Sequence, residues 1–114
     1  MIQLQEEIEL KKILNAIKEI EPNYKIPPIH MFYFDSSIRR RKAFGLAYST
    51  GTICLSLRDI GEFNINNYQF IRTVVHEIVH LNYWDLGHND PFYSINNYLF
   101  ERVIELLKTK GEQK

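Results

Sequence analysis

The chain is nearly empty of cysteine. Cys54 stands alone among 114 residues, so no internal disulfide can form and a cysteine-ligated zinc ribbon is excluded. An excess of charge of either sign is also missing. Lys+Arg and Asp+Glu are both 14, which removes the global electrostatic argument for a polyanion or an anionic membrane as partner. No apolar run is long enough to span a bilayer. Near the N-terminus, Glu6, Glu7 and Glu9 stand where a secretory signal needs a continuous apolar stretch. The expectation is an intracellular, cytoplasmic protein with no membrane partner. Repeats, low-complexity tracts and linkers are absent too, so residues 1–114 read as a single domain.

What is present is an ordinary globular balance, 45% hydrophobic and 25% charged, in a length that suits one core. Residues 2–20 predict an amphipathic helix, because Leu4, Ile8, Leu10, Ile13, Leu14, Ile17 and Ile20 fall at helical spacings. Pro22 and the Pro27-Pro28 pair close it and lead to an expected strand over Ile29–Phe34. Lys42–Ser49 and Thr52–Arg58 predict a hairpin with a two-residue loop at Thr50-Gly51. That register pairs Tyr48 with Ile53, Leu46 with Leu55 and Phe44 with Leu57 on one face. Ala43, Gly45, Ala47, Cys54 and Ser56 then share the other face, small enough for a helix to approach. Asp59–Asn66 predicts a loop and Asn67–Trp84 a helix stopped at Gly87 by a positive φ. Asp90 is expected to cap the last helix, with Pro91 at its first position and an end near Lys108. The expected fold class is α+β: an N-terminal helix, a small three-stranded sheet with a hairpin, and two further helices.

The chemistry is concentrated in Thr73-Val-Val-His-Glu-Ile-Val-His-Leu81. His76 and His80 lie one helical turn apart on one side, where both imidazoles can reach a common ion at ~2.0–2.1 Å. Glu77 lies about 100° round the helix, badly placed as a ligand but well placed to act on a water at the metal. Two ligands and a general base from one turn are the physical content of the His-Glu-x-x-His pattern. Val74, Ile78, Ile71 and Leu81 occupy the opposite sector, so the helix is expected to bury its back and turn His76, His80, Glu77 and Thr73 to a cleft. A buried helix with two hydrogen-bonded histidines is the plainer alternative, and it is expensive because it buries polar groups unpaired.

A third ligand is needed to leave one open position. The candidates are His88, Glu101, Asp85, Asp90 and His30. His88 follows Gly87, where a sharp turn could bring the chain back over the ion. Glu101 falls outside the stripe of Phe92, Ile95, Leu99, Val103 and Leu106, on the polar side with Ser94 and Glu105, which favours His88.

These residues resemble the SprT-like and WLM-type zincins, including the small YgjP-like metallopeptidases. The resemblance covers roughly residues 42–100. It is carried by the hairpin Phe44–Leu57, by His76-Glu77-Ile78-Val79-His80, and by His88-Asn89-Asp90-Pro91-Phe92-Tyr93 opening the last helix. It implies a minimal zincin-like fold, one Zn²⁺ held by His76, His80 and His88, Glu77 as catalytic base, and hydrolysis of a protein or peptide substrate. The spacing from His80 to His88 is slightly longer than in the shortest members. The cysteine-containing ribbon of some members is lacking, and with it one DNA-binding part.

Tyr83, Tyr93 and Tyr48 are candidates for an oxyanion donor or a pocket wall, and the hairpin edge is a candidate for strand addition by a peptide. Arg39, Arg40 and Arg41, with Lys42, could contact phosphates and suit a DNA-bound protein substrate; a solvated, edge-protecting cluster is the plainer reading. Three functions compete: a zinc peptidase, a metal-stabilised binding module without turnover, and a DNA-associated accessory protein. An intact Glu77 favours the first and the small size favours the second.

Overall fold

A computed structural model describes residues 4–35 and 44–112. The basic run Arg39–Lys42 lies outside the described residues. Helix α1, Leu4–Ile20, buries Leu10, Ile13, Leu14 and Ile17 of its expected stripe together with Ala16, while Ile8 is exposed. A 3₁₀ turn, Ile29–Met31, then leads to strand β1, Phe32–Asp35. The expected strand over Ile29–Phe34 is thus corrected. Its first three residues form a turn directly after Pro28, whose ring fixes φ at −64°, and the strand starts only at Phe32.

Strands β2, Gly45–Ala47, and β3, Ile53–Ser56, follow. The sheet order is β1-β3-β2, with β1 parallel and β2 antiparallel to β3. The central strand places Ile53 and Leu55 fully in the core.

The hairpin register differs from expectation by one residue. Gly45 faces Leu55, Leu46 faces Cys54 and Ala47 faces Ile53. The loop therefore has three residues, 49–51, closed by Tyr48 N–H to the Thr52 carbonyl at 2.9 Å and Gly51 N–H to the Tyr48 carbonyl at 2.9 Å. Gly51 takes φ +97°, the left-handed position such a loop requires. The physical reason is packing. Small Gly45 and Ala47 share a face with large Ile53 and Leu55, so the underlying helix rises close to β2 while β3 fills the core.

A one-turn helix α2, Leu57–Ile60, occupies the expected end of the second hairpin strand. Helix α3, Tyr68–Asn82, begins at Asn67, whose Oδ1 accepts from Gln69 N–H at 3.1 Å. Asn67 Nδ2 also donates to the carbonyls of Ile60 and Glu62, at 3.0 and 2.8 Å, tying the loop to the helix start. Helix α4 runs from Asp90 to Glu112. Its cap is Asn89 rather than Asp90: Asn89 Oδ1 accepts from Phe92 N–H at 3.1 Å. Gly87 does not take a positive φ, and α3 ends earlier, with Tyr83 N–H bonded to the Val79 carbonyl at 2.9 Å. The architecture is α+β, with a small mixed sheet and helices that contribute most of the core. No described helix is long and apolar enough to cross a membrane.

Candidate metal centre

Helix α3 supplies two groups by its period alone. Val74, Val75, Ile78 and Val79 are fully buried, which fixes the rotation of the helix and leaves His76 and His80 together on a half-buried side. The third group returns through the loop between α3 and α4. Leu86 N–H bonds the Tyr83 carbonyl and Asn89 N–H bonds the Gly87 carbonyl, both at 2.9 Å. These two turns, not a left-handed glycine, fold the chain back over α3.

The result is a cluster of three imidazoles. His88 Nε2 lies 2.8 Å from His80 Nε2 and 3.3 Å from His76 Nε2. All three donor atoms fall within 4.8 Å of one another. Nitrogens sharing one ion tetrahedrally at ~2.0–2.1 Å stand about 3.4 Å apart; the His76–His88 spacing matches this, and the His80–His88 spacing is shorter. The electrostatics agree. Burial, then repulsion from His80 and His88, pushes the His76 imidazole down to about 4. Burial and His88 also lower His80. A neutral imidazole offers a nitrogen lone pair to a metal, and a cation among the three nitrogens would accept from each. His76, His80 and His88 are thus placed to hold a metal ion.

Phe92 forms the floor. It is fully buried, and its ring stacks on His80 at 4.4 Å and meets His76 edge-on at 5.0 Å. Tyr93 lies outside, 45% exposed, its ring 6.2 Å from that of His88. Tyr83 is turned elsewhere, its hydroxyl 3.3 Å from that of Tyr24. Tyr48 is exposed beside the hairpin loop. Glu101, Asp85, Asp90 and His30 are all exposed, and none belongs to the cluster.

Glu77 is buried, at 4% exposure. Burial pushes its carboxyl up to about 8, a stronger base than a solvated glutamate. Its neighbour is a residue the sequence did not link to it. A β-carbon built on Gly45 would sit 3.3 Å from Glu77 Oε2 and 3.0 Å from Thr73 Cγ2. The only signal was the small-residue stripe of the hairpin, which put Gly45 on a face open to a helix without naming the helix residue it meets. Thr73 itself is buried, its hydroxyl donating to the Gln69 carbonyl at 2.7 Å. Comparison of the chain with protein-family models, curated proteins and solved structures gave no match.

Proposed function

We propose that this chain is a zinc-dependent peptidase of the SprT-like, minimal zincin kind. The observation that carries the reading is the convergence of three imidazole nitrogens, with a buried glutamate, Glu77, next along the helix from His76. A purely structural site has no use for such a base. When bound by His76, His80 and His88, zinc supplies Lewis acidity and acidifies water at neutral pH. Glu77 takes the proton of the attacking water and passes it to the leaving amine. Phe92 excludes water from beneath the imidazoles and fixes their orientation.

Strand β2 gives the substrate a place to lie. Phe44 carbonyl accepts from Ser56 N–H and Tyr48 N–H donates to Thr52 carbonyl. In an antiparallel pair these positions alternate, so the N–H and C=O of Gly45 and Ala47 face away from β3. Among the described residues no strand pairs with that edge. An extended peptide added there hydrogen-bonds Gly45 and Ala47 and passes beside Glu77.

The test is hydrolysis of an unstructured protein or peptide library by the zinc-loaded chain. Wild type cleaves, metal removal by a chelator stops cleavage, and Glu77→Gln binds zinc with no turnover. Zinc binding without cleavage by the wild type would replace this reading with the metal-stabilised binding module, in which the ion fastens the His88 segment to α3.

A further inference from the structure

One concave feature shares no residue with the histidine cluster. It is a cleft of about 260 Å³ where the ends of α1 and α3 meet the first turns of α4. Tyr24 forms its floor at 9% exposure and Tyr98 its rim at 58%. The rings of Tyr24 and Tyr83 meet edge to face, centroids 5.8 Å apart and planes at 76°. Glu21, the residue after α1, lines the same cleft. Burial and the neighbouring Tyr83 and Glu21 push the Tyr24 phenol well above its ordinary value, so this ring stays neutral.

The charged group, the rings and two of the helix ends on these walls favour positive charge. Tyrosine faces carry the negative lobe of the ring quadrupole. Glu21 is a carboxylate. Helices α1 and α3 both end here, at Ile20 and Asn82, and helix C-termini favour cations. No lysine or arginine is among the described residues lining the cleft. The ammonium of Lys18, one turn earlier, is held by the Pro22 carbonyl at 2.8 Å. Ile95 and Leu99 add an apolar wall. A hard metal ion wants mainly carboxylate and carbonyl oxygens, and the side chains lining the cleft supply a single carboxylate among neutral hydroxyls. An organic cation wants rings, one counter-charge and apolar surface for its carbon atoms. The volume is just below the usual range for whole ligands, roughly 300–1,000 Å³, and suits a head group.

We propose that the cleft of Tyr24, Tyr83, Tyr98 and Glu21 binds an alkylammonium group. The group can be a free amine or a methylated lysine side chain, and both present the same chemistry to the rings.

The test is titration of the full chain with tetramethylammonium chloride, followed by NMR of the tyrosine ring protons, with sodium chloride as the ionic-strength control. Saturable shifts at Tyr24, Tyr83 and Tyr98, with the histidine signals unmoved, are expected. Tyr98→Ala and Glu21→Gln, both on solvent-accessible side chains, each weaken binding by about 2- to 5-fold. A parallel titration with a trimethyl-lysine peptide separates the sources: tighter binding than tetramethylammonium assigns a protein side chain, equal or weaker binding a free amine. Shifts no larger than those from sodium chloride, or saturable shifts untouched by both substitutions, overturn the proposal. The outcome is independent of whether the histidine centre hydrolyses peptides.

Discussion

The carboxylate of Glu77 lies 3.3 Å from the point that a β-carbon on Gly45 would occupy. A strand backbone therefore rests directly on the helix that carries the histidines. The same point is 3.1 Å from the Cys54 carbonyl oxygen, a backbone atom that cannot swing aside.

Gly45→Ala follows from this contact. Overpacking of this kind costs about 1–3 kcal/mol, so the variant is expected to unfold at lower denaturant than wild type and to show less hydrolysis as β2 lifts from Glu77. Gly87→Ala is the contrasting control. Gly87 has nothing within 4 Å of a built β-carbon and no positive φ, so that variant is expected to match or exceed wild-type stability. Equal stability of Gly45→Ala and wild type in urea melts would remove the close approach of β2 to α3.

Metal binding separates His88 from Glu101. Loss of an outer-shell partner weakens metal sites 10–100-fold, so loss of the ligand itself in His88→Ala is expected to weaken zinc by at least about 100-fold. Glu101→Ala, on an exposed side chain, leaves affinity unchanged. Calorimetric titration reads both. Zinc is also expected to raise the melting temperature of wild type but not of His80→Ala, because an ion that binds only the folded chain stabilises it by mass action.

The metal-free protein has a pH signature. Glu77 goes from 4.5 to about 8 on folding, so between these values the folded state binds the extra proton and stability falls as pH rises. His76 goes from 6.5 to about 4. The unfolded state binds the extra proton there, and stability falls as pH drops through that interval. Between pH 6.5 and 8 only the carboxyl acts of these two. The metal-free melting temperature is expected to decline across that interval in wild type and to stay flat in Glu77→Gln. A decline that persists in the variant assigns the proton elsewhere.

Asn67 closes the start of the helix that holds the site. Asn67→Ala removes the bond to Gln69 N–H and both bonds to the Ile60 and Glu62 carbonyls. Loss of an N-cap costs about 0.5–2 kcal/mol, and the two further bonds place this variant at the upper end. Denaturant titration at fixed pH measures it. A change below about 0.5 kcal/mol would show that the loop holds without them.

The sequence by itself determined what depends on helical period. His76, Glu77 and His80 occupy one turn, the valines and isoleucines between them choose the buried side, and α1 follows from the spacing of its leucines and isoleucines. These are relations among residues a few positions apart, which backbone geometry fixes before any tertiary contact forms. Tertiary structure decided the rest. Side-chain size favoured the two-residue hairpin register, and the structure has the three-residue one, in which Gly45 and Ala47 share a face with Leu55 and Ile53. His88 was one of several candidates until the turns at Leu86 and Asn89 carried it over the helix. Tyr24 and Tyr83 stand 59 residues apart, and no local pattern joins them. Long-range partners are chosen by whole surfaces fitting together, and a one-dimensional periodicity carries no information about which distant surface will arrive.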